Sequence, residues 1–255
     1  MKAIKCELSD LFDSIEIHTF ADLHIGDVNC DMKAIKDRIE YVKNTKNAYC
    51  ILNGDLMNNA TKTSVSDSYS EMITPDQQID MCEELFSPIA DKILAITSGN
   101  HEKRTYRKEG VDITKQVAVR LNLLDRYSKS GAILFIRFGN NNKKKKVCYS
   151  LYMNHGSGGG RKEGAKAIRL ADMASIIDAD IYVHSHTHLP MVMKEKFARI
   201  SLQHSTFAYV DKLFVNTAAS LEYGGYGEEY EFKPSSTETP VIYLEGDKKE
   251  MYAKL

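Results

Sequence analysis

Six of the eight histidines, His24, His101, His155, His184, His186 and His188, fall in short polar clusters shared with Asp22, Asp55 and Asn100. Imidazole, carboxylate and carboxamide donors together suit a divalent ion such as Zn²⁺, Fe²⁺ or Mn²⁺. The five cysteines (Cys6, Cys30, Cys50, Cys82 and Cys148) are scattered and never spaced Cys-x-x-Cys, so neither a thiolate site nor a disulfide framework is indicated. A lone Asp-x-His or His-x-His is weak evidence. On a strand or a tight turn, however, residues i and i+2 project to the same side. Asp22 with His24, and His186 with His188, would then each present two donors to adjacent positions, a geometry compatible with two metals.

Such residues need elements that deliver them to one place. Ser14 to Phe20 is rich in β-branched and aromatic residues and runs straight into the polar stretch 21–27, which reads as a strand delivering polar groups at its C-terminal end. Met32, Ile35, Ile39 and Val42 recur at helical spacing, and the next apolar run, 49–52, ends in Asn53-Gly54-Asp55. A second helical stretch after Pro75 carries Ile79, Cys82, Leu85, Phe86 and Ile89 and leads to the apolar 93–96 and then Ser98-Gly99-Asn100-His101-Glu102. Three times an apolar strand stops and Asp, Asn or His follows, as when an α/β sheet displays functional groups at the carboxyl ends of its strands. Residues 132–138 and 147–153 predict an antiparallel hairpin with a basic tip at 143–146. Asn154-His155-Gly156 then opens a glycine-rich loop ending in Arg161 and Lys162, before a helix carrying Ala167, Leu170, Ala174 and Ile177. The short run 181–183 leads into His184-Ser185-His186-Thr187-His188, and mostly strands are expected from Arg199 onward, around a Tyr/Gly loop at 223–230.

Composition sets the outer bounds. The 255 residues hold 34 Lys+Arg against 35 Asp+Glu, a formal net charge of −1, so neither a basic nucleic-acid coat nor an acidic tail dominates. With 43% hydrophobic and 27% charged residues, disordered and fibrous classes are excluded. No apolar run approaches the roughly 18 to 20 residues of a membrane span, and the first seven residues lack the apolar stretch of a secretory signal. A cytoplasmic protein with no membrane partner is expected. No repeat or linker interrupts the pattern, so residues 1–255 read as a single domain.

In order along the chain, Asp22-Leu23-His24, Gly54-Asp55, Gly99-Asn100-His101-Glu102, Asn154-His155-Gly156 and Ser185-His186-Thr187-His188 resemble the five motifs of the calcineurin-like metallophosphoesterases. The resemblance spans residues 15–220. It implies an α/β fold, a four-layer α/β/β/α sandwich of two mixed sheets flanked by helices. It also implies a binuclear site in which Asp22, His24, Asp55 and His188 hold one metal and Asp55, Asn100, His155 and His186 the other, with Asp55 bridging. The cofactors would be two divalent ions, Mn²⁺ foremost, with Zn²⁺, Fe²⁺, Mg²⁺ or Ni²⁺ as other occupants. His101 would bind no metal and would face the phosphate and its leaving group, which makes Asn100 and His101 the catalytic candidates.

Elementary chemistry agrees with that assignment. A phosphate ester is anionic and repels nucleophiles, whereas two cations roughly 3.5 to 4 Å apart lower the pKa of a shared water and clamp the oxygens of an in-line displacement. Asn100 offers a neutral carbonyl that leaves positive charge for the substrate. His101 could protonate or stabilise the leaving alkoxide, an effect of about 10² to 10⁴ in rate.

Two departures from the family pattern matter. The protein Ser/Thr phosphatases of this superfamily follow Gly-Asp with a further Asp and Arg, and here those places hold Asn58 and Asn59. The phosphate-gripping arginine and the carboxylate partner of the catalytic histidine are missing there, which disfavours a protein phosphatase. The fifth motif normally begins with Gly, and here Ser185 stands in its place. His184 is in phase with His186 and His188, so a shifted ligand set is an alternative.

The remaining polar features have plainer readings beside functional ones. Asp and Asn at strand ends often only cap turns, a reading that does not predict five motifs in order. His18 and His204 read as locally hydrogen-bonded or solvent-facing residues. The basic run 143–146 reads as a solvated tip, with a phosphate contact as the functional alternative. Gly156, with Arg161 and Lys162, is either a turn into the helix or a phosphate cradle beside His155. Lys103, Arg104, Arg107 and Lys108 form a second basic cluster just after His101, and Arg104 joins Gly156, Arg161 and Lys162 as a substrate-contact candidate. Tyr223, Tyr226 and Tyr230 could stack bases, although a surface loop is the simpler account. The expectation is a metal-dependent phosphodiesterase acting on a phosphate-ester substrate, with nucleic acid as one candidate. The alternatives are a phosphomonoesterase for a small metabolite or nucleotide, and a non-catalytic scaffold on the same fold.

Overall fold

The apolar runs become strands buried on both faces, and the helices that cover them start where the sequence can cap them. A computed structural model describes every residue of the chain except 63, 65–67, 70, 142–144 and 159, and the side chain of Tyr226. In chain order, β1 (Lys2–Glu7) and β2 (Ser14–Phe20) precede α1 (Met32–Asn44), β3 (Ala48–Asn53), α2 (Pro75–Phe86), β4 (Ile93–Thr97), α3 (Asn100–Glu109), α4 (Ile113–Arg120) and β5 (Tyr127–Ser128). There follow β6 (Ala132–Phe138), β7 (Val147–Asn154), α5 (Glu163–Ile176), β8 (Ile181–His184), β9 (Met191–Ser201), β10 (Thr206–Asn216), the single turn α6 (Tyr226–Glu229), β11 (Val241–Glu245) and β12 (Met251–Lys254).

The strands form two mixed six-stranded sheets, ordered β1-β6-β7-β8-β10-β9 and β12-β11-β2-β3-β4-β5. Because strand side chains alternate between faces, each sheet feeds two cores. Ile15, Ile17 and Ile51 of one sheet meet Leu151, Val183 and Val215 of the other between the sheets. The opposite faces of the same strands, through Phe20, Cys50 and Leu52, pack under Ile35, Ile79, Phe86 and Val117 of the helices. Tyr152, Tyr182 and Phe214 lie under Leu170 and Met173 of α5. The result is the α/β/β/α layering that the motifs imply. Capping fixes the helix starts: the Asp31 side chain accepts from Ala34 N, and Thr74 with Gln77 forms a capping box ahead of Pro75. Among the described residues, no helix is long and apolar enough to cross a membrane.

The hairpin of β6 and β7 and the helix α5 stand where the sequence puts them. Other elements differ. β9 begins at Met191, ahead of Arg199, because its residues are half-buried or exposed and show no apolar alternation. α3 buries only Glu102 and therefore carries no apolar stripe to read. The loop at 223–230 contains the turn α6. Asn142, Lys143 and Lys144 of the basic tip, Gly159 and the Tyr226 side chain lie outside the described residues.

The topology determines where chemistry gathers. β2, β3 and β4 run parallel, as do β7, β8 and β10. The segments after β2, β3, β4, β7 and β8 therefore emerge on one edge of the sandwich.

Candidate metal centre

Three of the five segments, those after β2, β3 and β8, reach the site through backbone conformations that L-residues rarely adopt. Asp22 (φ 51°), His24 (φ 51°), Asp55 (φ 49°), His186 (φ 66°) and His188 (φ 53°) are all left-handed. Each such residue stores local strain of order 1 to 3 kcal/mol, and residues of this kind cluster at functional sites. Backbone hydrogen bonds hold the turns: Leu23 N donates to Asp55 O at 2.8 Å, Ile25 N to Leu56 O at 2.9 Å, and Ser185 N to His155 O at 3.1 Å. The neighbouring donors are thus displayed by left-handed turns, and strand alternation plays no part.

Two glycines permit the closest approach. A Cβ on Gly99 would lie 2.0 Å from Asp55 Oδ1, and one on Gly54 (φ 80°) would lie 2.5 Å from Gly99 N. No side chain fits between the second and third motifs.

Each central carboxylate is oriented by an amide from a different motif. Asp22 Oδ2 accepts from His186 N at 2.9 Å, and Asp55 Oδ1 accepts from His101 N at 2.8 Å. The other oxygens face imidazoles: Asp22 Oδ1 is 3.2 Å from His188 Nε2, and Asp55 Oδ2 is 3.1 Å from His155 Nε2. The His155 ring donates through Nδ1 to Asn53 O at 2.8 Å, leaving Nε2 facing inward, 3.1 Å from Asn100 Oδ1. Ligand atoms of Asp22, His24 and His188 lie within 4.8 Å of one another, and so do those of Asp55, His155 and His186 and those of His24, Asp55 and His101. Asp22 Oδ1 and His24 Nδ1 are buried with no hydrogen-bond partner. Buried polar atoms are normally satisfied, so an orphaned carboxylate oxygen facing several imidazoles fits a cation as its missing partner. Nitrogen and oxygen donors of this kind suit borderline divalent ions.

The electrostatics point the same way. Burial opposes charge on His155, yet the Asp55 and Asp22 carboxylates beside it raise it to about 9. Burial, with the imidazoles of His101 and His188 beside it, holds His24 well below its ordinary value, and burial with His155 takes His186 down to about 4. Burial would raise Asp22 and Asp55, but the facing imidazoles keep both below the usual carboxylate range. At neutral pH the site thus combines two anions with neutral His24 and His186, which are ready to bind a cation, while His155 carries a proton that a cation would have to displace.

His101 sits at the rim. Its Nδ1 bonds to the Asn58 backbone carbonyl at 2.7 Å, and Arg104 approaches Nε2 at 3.1 Å. A main-chain carbonyl thus stands where the protein phosphatases use a carboxylate. Asn59 (φ 46°) donates to His101 O at 2.7 Å and accepts from Thr105 Oγ1 at 3.0 Å, tying the loop after β3 to α3.

Glu102, quoted in the third motif without a role of its own, holds the centre together. Its buried carboxylate accepts from Leu56 N (2.6 Å) and Met57 N (3.2 Å) on Oε1, and from Asp55 N (3.0 Å) and Gly99 N (2.9 Å) on Oε2. Burial and the Asp55 charge push its acid up to about 7, against the pull of those donors. The available signal was a Glu at the third helical position after a Gly, the acidic half of a capping box.

The substituted Ser185 has a partner: its Oγ accepts from Asn53 Nδ2 at 2.8 Å. His184 turns away from the ligand groups, with Nδ1 at 2.8 Å from Asn216 Oδ1 and Nε2 where a Cβ on Gly156 (φ 96°) would fall. The shifted ligand set has no geometric support among the described residues. Of the substrate-contact candidates, Arg104 adjoins His101. Gly156 lies beside His184, and its N–H is engaged by Asn154 Oδ1 at 3.0 Å. Arg161 donates to Tyr230 O at 3.0 Å and lies over the Phe232 ring, and Lys162 is exposed at the start of α5.

No curated protein matches the chain in sequence. Among solved structures it is similar to a predicted phosphoesterase of Streptococcus pneumoniae, at 13% identity over 94% of this chain and 98% of that chain with a TM-score of 0.37. It is also similar to zinc-complexed Vps29 of Entamoeba histolytica (13% identity, 93% and 89% coverage, TM-score 0.40) and to the nuclease MPE of Pseudomonas putida (12%, 93% and 87%, 0.36). Those likenesses are too loose to carry an argument about chemistry. The family model of the calcineurin-like phosphoesterases matches residues 20–190, a stretch that contains all five motifs. By that match the chain belongs to the calcineurin-like phosphoesterase family.

Proposed function

We propose that the chain is a phosphodiesterase working with two divalent cations, nucleic acid being among its candidate substrates. The observation that carries this reading is the pair of ligand groups, Asp22/His24/His188 and Asp55/His155/His186, converging around one orphaned carboxylate oxygen. Asp22, His24, Asp55 and His188 would hold one cation, and Asp55, Asn100, His155 and His186 the other. Bound cations would supply charge compensation at the phosphoryl oxygens and a nucleophile at neutral pH.

The chain's own residues would do the rest. Asn100 and His155 are pre-aligned by their mutual contact, so the second ligand group needs little rearrangement. His101, anchored by its Nδ1–H on the Asn58 carbonyl, presents Nε2 to the leaving oxygen; although burial lowers its basicity, Nε2 would take up the proton set free by the attacking water and pass it to that oxygen. Arg104, beside that nitrogen, moves onto the phosphoryl oxygens when substrate arrives. A diester carries one negative charge where a monoester carries up to two. A site with Asn59 in the place of the phosphate-gripping arginine therefore suits the diester better.

The test is a paired assay with Mn²⁺ supplied and then chelated, on bis(p-nitrophenyl) phosphate, p-nitrophenyl phosphate, and single- and double-stranded DNA. Diester and DNA cleavage that disappears on chelation is expected. Cleavage of the monoester alone would overturn the diester reading, and no cleavage of any substrate would overturn the enzymatic one.

A further inference from the structure

His101, Arg104, Thr105 and Lys108 stand at positions i, i+3, i+4 and i+7 along α3, which puts them on one face of the helix. The two members of that stripe farther from the metal centre, Thr105 and Lys108, line a cavity of about 510 Å³, within the size range of small-ligand pockets. Thr105 lines its near end together with Asn59, the residue that holds the His101 carbonyl. Pro75, Ile79, Val111 and Ile113 give it an apolar wall, and Gln116 offers an amide within it. Lys62 and Lys108 at the lining are balanced by Asp76 and Glu109, so the cavity carries no net charge. A bare anion would find little to bind there. A neutral group with a flat apolar face and hydrogen-bonding edges would fit.

We propose that this groove is the leaving-group subsite and that it takes the nucleoside released when an internucleotide phosphodiester is cleaved. The inference rests on the phosphodiesterase reading and names its substrate class. His101 is the residue that faces the leaving oxygen, and the groove begins one helical turn beyond it on the same face. With the scissile phosphate at the cations, the departing sugar passes Arg104 and Thr105 and its base packs against Val111 and Ile79. Cleavage breaks the bond from phosphorus to the leaving oxygen, that oxygen takes a proton from His101, and water supplies the new phosphate oxygen. No oxidant or co-reactant is needed.

The experiment compares two kinds of diester that differ only in what leaves. The Mn²⁺-loaded full chain is given thymidylyl-thymidine, and separately the 3′- and 5′-(methyl phosphate) esters of thymidine, for which only the release of methanol with formation of thymidine monophosphate is scored. Wild-type protein should prefer the dinucleotide by at least about tenfold in kcat/KM, the scale on which apolar pockets discriminate. Val111→Trp and Gln116→Trp, both at exposed positions, should abolish that preference through KM, while Val111→Ala should shift it less than twofold. Either no preference in the wild type or a preference that survives both tryptophans would overturn the subsite. Failure of the wild type to cleave any diester while it hydrolyses a monoester would refute the phosphodiesterase reading itself.

Discussion

Replacing Glu102 by Gln tests whether one buried carboxylate holds the site together. The four N–H groups that converge on it come from Asp55, Leu56, Met57 and Gly99, two on each oxygen. A carboxamide keeps one oxygen and turns its NH₂ toward two of those donors, so two hydrogen bonds are lost and donor faces donor. Bonds to a charged acceptor contribute about 1.5 to 3 kcal/mol each. Relief from burying an anion beside Asp55 offsets part of the loss, which leaves about 2 to 4 kcal/mol. For a chain of this size, 1 kcal/mol moves the melting temperature by about 2 to 4 °C, so Glu102→Gln should melt roughly 5 to 15 °C lower. The comparison belongs at pH 8, where the acid raised to about 7 is ionised. Because the displaced segments carry Asp55 and Asn100, Mn²⁺ affinity measured by calorimetry should fall as well. An unchanged melting temperature with unchanged metal affinity would mean that the four contacts do not hold these loops.

Three further outcomes follow from the same geometry. His101→Ala should retain bound metal, since Asp22, His24, Asp55, Asn100, His155, His186 and His188 remain to hold it, but lose about 10² to 10⁴ in turnover on an unactivated diester; wild-type turnover would dismiss its acid role. Gly99→Ala places a methyl group against the Asp55 backbone and carboxylate. It should lose metal and stability by about 3 kcal/mol, a result that elemental analysis and thermal melts would check. In chelated protein His155, raised to about 9, holds a proton at pH 7 that a cation must displace. Apparent metal affinity should therefore rise about tenfold per pH unit from pH 7 to 9 and then level off. The raised imidazolium stabilises the chelated protein fully below the unfolded value of 6.5, and that contribution is lost as pH rises through about 9. A flat affinity profile over that range would contradict the assignment.

How much of the molecule was legible in advance differs from element to element. The strands β3, β4 and β8 could be read because burial on both faces makes each a nearly continuous apolar run, and β2 and β7 because they are rich in β-branched or aromatic residues; all five lead into polar residues. α1 and α2 could be read because each buries one stripe. β9 could not, since its residues face largely outward, and neither could α3, whose one buried side chain is a carboxylate serving the metal centre. The sequence also set the donor types and their order at the strand ends, because metal chemistry constrains residue identity and strand ends are local features.

Tertiary structure alone decided what those donors do. His186 N reaches Asp22 Oδ2 across 164 residues of chain, and Leu56 N reaches Glu102 across 46. No local pattern encodes such partners, so the sequence could not tell which carboxylate oxygen is left free. Nor could it tell that left-handed turns would aim the ligands, that a backbone carbonyl would orient His101, or that Arg161 would spend its guanidinium on Tyr230 while Arg104 came to the site. Residue identity follows from what a reaction requires, and the chain records it position by position. Hydrogen-bond partnership between distant segments follows from how two sheets pack against each other, and it exists only once they have done so.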